Sequence, residues 1–244
     1  MRWVEGRVSI EDSVDMPRAA PARLLRDSYL PGISAETLGL VRADDNSLRV
    51  GRFELLRFGA PKLGRTAVEW PIEGGLLARA PGGTLRLHSS GRRLVASVDG
   101  YRPRLPAAVY SVTQLPLHHL LTRLYLLRLR GRDPAPGITA TSSNRMRAAA
   151  VDLAFCATLA GVVGRGRRVR VLLGIAAVYH LTCWSLSGRT LGGLVMRQRV
   201  VSVDGSRPSP AQALVRLVAL PISWIRGRPD HDEIACTDVI GAGP

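Results

Sequence analysis

The costliest side chain in this 244-residue sequence is Asp152. It lies in an apolar run over residues 148–163, with Thr158 as its polar company. A carboxylate at the centre of such a run costs about 3 kcal/mol to insert in a bilayer, and it persists where it turns inward or finds a partner. Arg145 stands two helical turns earlier and so shares a face with it. A second apolar run, residues 171–186, carries His180 as its ionisable group. Asp152 and His180 are therefore a candidate ion or proton site. The plainer readings are an ion pair of Asp152 with Arg145 or Arg147 near the headgroups, and a packing role for His180.

Other reactive residues point to less. Glu69 and Glu73 flank Trp70, Pro71 and Ile72. Paired carboxylates can do acid–base work, but strand-edge charges around a turn have the same pattern. His118 and His119 are adjacent on an expected helix, point about 100° apart and make a poor metal pair. His88, beside Ser89 and Ser90, reads as a hairpin residue. Cys156, Cys183 and Cys236 lack metal-ligand spacing; the first two sit in apolar runs as small hydrophobes. No phosphate-cradling glycine loop ending in Lys-Ser/Thr and no Gly-x-Ser-x-Gly elbow occurs. The expectation is no catalytic residue, no metal and no cofactor.

The elements that must hold these residues fall into two halves. Net charge is +15, carried almost wholly by arginine, since Lys62 is the only lysine. That usage suits a GC-rich coding bias, and the excess suits anionic headgroups; nucleic acid is not expected as a partner. From about residue 36 to 110, short strands alternate with turns: 48–50, 53–55, 66–70, 76–79, 84–88 and 94–98. Gly74-Gly75, Pro81-Gly82-Gly83 and Ser89-Ser90-Gly91 separate some of them. That pattern predicts an antiparallel meander. Leu117, Leu120, Leu121, Leu124 and Leu127 then keep helical spacing behind Pro116. This helix either closes the sheet's face or lies on a membrane surface. The fold class expected is α+β: an antiparallel β-rich domain over residues 1–135 closed by a helix, a linker over 136–143, and a helical membrane module over 144–240.

Within that module the two apolar runs are about 16 residues each, slightly short of the ~20 a span needs. Flanking arginines can snorkel to extend them, and Trp184 sits where an aromatic belt would be. Residues 211–225 form a third apolar stretch, interrupted by Arg216 and Pro221, which suits an interfacial or re-entrant helix. The arginine-dense loop over 165–170 conflicts with the positive-inside rule if both runs span with the N-terminal domain cytosolic. Arg145, Arg147, Arg189, Arg197 and Arg199 slightly outnumber it on the other side. A shallow hairpin dipping in from the cytosol would also remove the conflict.

The order of short motifs resembles the RDD family of bacterial membrane proteins. Arg145 and Asp152 match its first helix. Arg189, Thr190, Leu191 and Gly192 match a glycine segment, Asp204-Gly205 a turn, Arg216 a late arginine, and His231, Asp232 and Thr237 the tail. The likeness covers residues 143–240. It departs at Arg189, where lysine is usual, at Cys236, where glycine is usual, and in its third span. What the resemblance implies is an integral membrane protein of transport or accessory type, not an enzyme. The lipid bilayer is its expected partner, with a homo-oligomer or a partner membrane subunit as candidates. The N-terminus has no apolar leader stretch, so the first domain is expected in the cytoplasm, sensing or binding a ligand, with the chain in the cell membrane. The alternatives are a soluble hydrophobic-ligand binder, suggested by a lipocalin- or START-like outline, or an enzyme using Glu69 or Glu73.

Overall fold

The computed structural model describes the whole chain except Asp45, residues 164–167, Pro229, residues 242–244 and the side chain of Trp224. The chain divides into two compact units, residues 1–131 and 132–244. It is α+β, with a large antiparallel sheet in the first unit and mainly helices in the second.

In the first unit the strands are β1 (Arg2–Val4), β2 (Arg7–Asp15), β3 (Arg42–Asp44), β4 (Ser47–Val50), β5 (Phe53–Phe58), β6 (Lys62–Leu63), β7 (Ala67–Gly74), β8 (Thr84–Ser90) and β9 (Arg93–Tyr101). Helix α1 (Ala22–Glu36) follows β2; α2 (Ala107–Val112) and α3 (Gln114–Arg130) follow β9. Among the described residues, nine strands form one antiparallel sheet in the order β1-β2-β9-β8-β7-β5-β4-β3, with β6 on β7. Alternation sets its faces. Along β7, Val68, Trp70 and Ile72 are buried while Glu69, Pro71 and Glu73 face outward.

The expected meander of β4, β5, β7, β8 and β9 is present. The hairpin β1–β2 and helix α1, before residue 36, are additions to it. The expected strand over 76–79 is a turn instead. Its backbone is taken up by Leu76 N–H on the Glu54 carbonyl, Leu77 N–H on the Leu55 carbonyl and Arg79 N–H on the Arg102 carbonyl.

Helix α3 buries Leu124, Tyr125, Leu126 and Leu127 in succession, which wraps it with protein on more than one side. Tyr29 of α1 meets Trp70 at 5.8 Å and the edge of Tyr125 at 5.1 Å. The two helices approach so closely that a Cβ on Gly32 would lie 2.6 Å from the Tyr125 ring. Polar links fix the same packing: His119 Nδ1 lies 2.8 Å from both Asp12 oxygens, and Arg128 pairs with the buried Glu36 at 3.0 Å. Burial raises the Glu36 carboxyl, and the Arg128 charge opposes the rise. Within the unit α3 thus closes the sheet's face, as one of its two sequence readings held.

In the second unit, α4 (Ser142–Val163) and α5 (Arg168–Leu186) form a hairpin. Then come α6 (Leu191–Val195), β10 (Gln198–Ser202), α7 (Pro210–Arg226), α8 (Asp230–Ile234) and β11 (Thr237–Gly241). Strands β10 and β11 pair antiparallel, Gln198 opposite Gly241 and Ser202 opposite Thr237. Residues 138–140, inside the expected linker, are hydrogen-bonded to β11: Ala140 N–H to the Val239 carbonyl at 2.8 Å, and Gly241 N–H to the Ile138 carbonyl at 2.9 Å. Ala148, Asp152, Cys156 and Ala160 recur every fourth residue as the buried stripe of α4, small enough in three of four positions for α5 to lie close. Part of the arginine loop over 165–170 falls outside the described residues.

Replacing Gly32 with Val should destabilise the full chain by about 1–3 kcal/mol through overpacking. Thermal unfolding in detergent, followed by near-UV circular dichroism, measures this. An unchanged midpoint would mean that α1 and α3 can separate at no cost.

Candidate functional site: two polar centres in the helical unit

Two polar centres lie in the second unit. The first is built on Asp232, in the first turn of α8 and nearly fully buried. Its Oδ2 pairs with Arg145 from the first turn of α4, and its Oδ1 with Arg216 from the middle of α7. Thr237, opening β11, accepts from Arg216 Nη1 at 2.8 Å and lies 3.4 Å from Asp232 Oδ1. Arg132 closes the outside, donating to the Asp232 and Thr237 carbonyls at 3.2 Å each. Four elements therefore converge on one carboxylate. A carboxylate has room for several donors, and charge-assisted bonds are about twice as strong as neutral ones.

His231 supplies a neutral partner. Its Nδ1 and its backbone N–H both lie 2.8 Å from Ser223 Oγ, and its Nε2 lies 3.3 Å from Arg216 Nη2. Arginine can only donate, so Nε2 accepts and the ring proton sits on Nδ1, donating to Ser223. Burial, then the charges of Arg216 and Arg145, push the His231 pKa down to about 3. The ring is neutral at physiological pH.

Gln212, wholly buried, ties the frame together. Its side chain completes a capping box with Ser209 at the start of α7. Its Nε2 also donates to Ser202 Oγ at 3.2 Å and to the Ala235 carbonyl at 3.1 Å. The Asp204-Gly205 turn precedes it. Asp204 Oδ1 accepts from the Ser206 N–H at 3.1 Å, and Gly205 takes a positive φ of 82°.

The second centre is built on Asp152. Its Oδ1 accepts from Tyr179 Oη at 2.7 Å and from the Gly192 N–H at 2.8 Å. Tyr179 Oη in turn accepts from the Leu191 N–H at 2.7 Å, and Thr190 Oγ1 from the Gly193 N–H at 3.0 Å. The free N–H groups that open α6 are thereby satisfied. A Cβ on Gly192 would overlap the Ala148 carbonyl and stand 2.9 Å from its Cα, so only glycine lets α6 reach the carboxylate. His180 Nε2 is 4.0 Å from Asp152 Oδ2, beyond hydrogen-bond reach, while its Nδ1 lies 2.8 Å from the Ala176 carbonyl.

The expected partner of Asp152 was Arg145 or Arg147; Arg145 goes instead to Asp232, and Asp152 binds Tyr179 and backbone. Trp184, expected in an interfacial belt, is buried. Its ring lies 4.9 Å from His180 and 5.0 Å from the Arg216 guanidinium, joining the two centres. Tyr179, Gln212, Ser223 and Arg132 were not singled out from sequence. A buried Gln behind a Ser-x-x-Gln pattern was the available signal for one of them. Of the residues considered in the first unit, Glu69 pairs with Arg86 at 3.3 Å and Glu73 with Arg57 at 3.9 Å, both on the solvent face. Among the described residues no cluster of three or more His, Cys, Asp or Glu could hold a metal ion.

The polar centres are tied to a hairpin of two helices long and apolar enough to cross a membrane. The RDD family model matches residues 169–240, so the C-terminal unit contains an RDD family domain. No curated protein and no solved structure matches the chain. Arg145 and Asp152 precede the matched segment, so their membership of the two centres rests on geometry.

Asp232→Asn should cost about 3–5 kcal/mol, because two arginines lose the charge they share. Below pH 6.5, the ordinary histidine value, an unfolded chain takes up a proton that the folded His231 refuses. Stability should therefore fall as pH drops from about 6.5 towards 3. His231→Gln should flatten that slope in detergent unfolding curves; an unaltered slope would clear His231 of the effect.

Proposed function

We propose that this protein is an integral membrane protein in which the RDD-type unit is a bilayer-embedded accessory scaffold, tethering a cytosolic ligand-binding or sensing domain to the cell membrane. The observation that carries this reading is the inverted face pattern of α7. Its inward side bears Gln212, Arg216 and Ser223 among small apolar residues, Ala213 and Ala219; its outward side bears Leu214, Val218, Ile222 and Ile225, the last 86% exposed. A helix in water buries its apolar stripe. Polar groups inward and apolar groups outward are what a lipid solvent selects.

The hairpin supports the same reading. Among the described residues, α4 and α5 are the two helices long and apolar enough to cross a membrane, and α7 is a shorter apolar one. Val162, Val169, Leu173 and Val178 are each about two-thirds exposed or more. Arg145, Arg147, Arg189, Arg197 and Arg199 cluster at the end where α4 begins and α5 ends. They exceed the four arginines of the 165–170 loop by one, and by the positive-inside rule that margin favours the cytosol for this end and for the N-terminal unit joined to it.

The second reading is ion- or proton-coupled transport through Asp152, favoured by His180 standing 4.0 Å away. The first reading stands ahead of it because the contacts of Asp152 are those of a cap for α6. Asn can still accept from Tyr179 and Gly192, so Asp152→Asn should preserve insertion and folding. Under the transport reading it should also abolish a pH-dependent flux.

After an alkaline carbonate wash the full chain should remain in the membrane pellet. Leu173→Arg places a charge on the outward face of α5 and should release a substantial fraction, since it costs about 3 kcal/mol on insertion scales. Recovery of the unmodified chain in the supernatant would refute the membrane assignment.

A further inference from the structure

Beside α6 lies a pocket of about 440 Å³ whose lining includes Arg189, Leu194, Arg197, Gln198, Arg199 and Ile240. Its three arginines are exposed, and no acidic residue lines it among the described residues. The pocket follows directly on the end of α5. Leu191, Leu194 and Val195 of α6 are 41%, 54% and 60% exposed, so an apolar surface adjoins the charged one.

We propose that this pocket binds the headgroup of an anionic phospholipid. The phosphodiester oxygens accept from the guanidinium groups of Arg189, Arg197 and Arg199. The acyl chains leave over the apolar face of α6. Inorganic phosphate would satisfy the arginines and leave the exposed leucines without a role. The inference rests on the membrane reading, which puts the end of α5 at the headgroup level.

The test titrates the detergent-purified full chain with short-chain phosphatidylglycerol, phosphatidic acid, phosphatidylcholine and inorganic phosphate, by calorimetry. Phosphatidylglycerol and phosphatidic acid should both bind more tightly than phosphatidylcholine and inorganic phosphate. The triple variant Arg189→Gln, Arg197→Gln, Arg199→Gln should lose about fivefold in affinity per arginine. That variant should leave helix content unchanged by far-UV circular dichroism. Equal binding of phosphatidylglycerol and phosphatidylcholine would overturn the proposal, as would a triple variant that binds like the parent. Inorganic phosphate competing as well as the lipid would assign the pocket to a soluble anion and also overturn it. A parent chain retained in the carbonate pellet while any of these results is obtained separates this failure from failure of the membrane reading.

Discussion

The second unit depends on one shared carboxylate. Asp232 receives Arg145 from α4 and Arg216 from α7, and sits in α8 beside the first residue of β11. A buried ion pair is weak evidence for stability, since its desolvation penalty can exceed its attraction. Here the pairing does something burial of leucines could not: it fixes which elements meet and in what register. Each of the three charged side chains is useless alone and costly if left behind, so the arrangement is all or none. Gln212 repeats the logic without charge, bridging β10 and the α8–β11 turn from the start of α7.

The lipid surroundings proposed for this unit would make sense of that economy. In water, a unit of this size would gather its apolar side chains inward. Among the described residues, one apolar cluster within it is Trp184, Val200, Ala213 and Val239, with Ala140, Leu181, Leu217 and Leu220 packed around them. Directional polar contacts and close backbone approach add to its cohesion. Gly192 against Ala148 provides the second, and the Ala148, Asp152, Cys156, Ala160 stripe extends it along the hairpin.

The sequence was informative where periodicity is strong and silent where partners are distant. Strand alternation made the β4-to-β9 meander legible, and leucine spacing did the same for α3. The apolar runs gave α4, α5 and α7. The first hairpin and α1 went unread because Arg7 to Asp15 is a mixed strand, and Pro31 and Gly32 interrupt the helical pattern of residues 22–36. Residues 76–79 looked like a strand because their composition is apolar, but glycines on both sides let the backbone turn and satisfy its groups across β5. In the site, motif order singled out Arg145, Asp152, Arg216, His231, Asp232 and Thr237 without saying which acid meets which arginine. Arg145 and Asp152 share a helical face, and local spacing favoured pairing them. The preference was overridden by an α8 carboxylate 87 residues away in sequence, which no periodicity can reveal.

Charge balance explains the residues around the Asp232 centre. Arg145 and Arg216 bring two positive charges to one negative, and a surplus charge in a low-dielectric interior is expensive. Several features reduce that cost. The face of Trp184 lies 5.0 Å from the Arg216 guanidinium and offers the negative side of its quadrupole. His231 stays neutral and presents Nε2 as an acceptor, where a protonated ring would add a third positive charge. Asp238, 3.9 Å from Arg132, supplies a second carboxylate at the rim. Read this way, the histidine of the tail is there for what it withholds. Ser223 holds its ring proton away from Arg216, so the imidazole serves as an acceptor that a buried arginine requires and a carboxylate already engaged twice cannot provide.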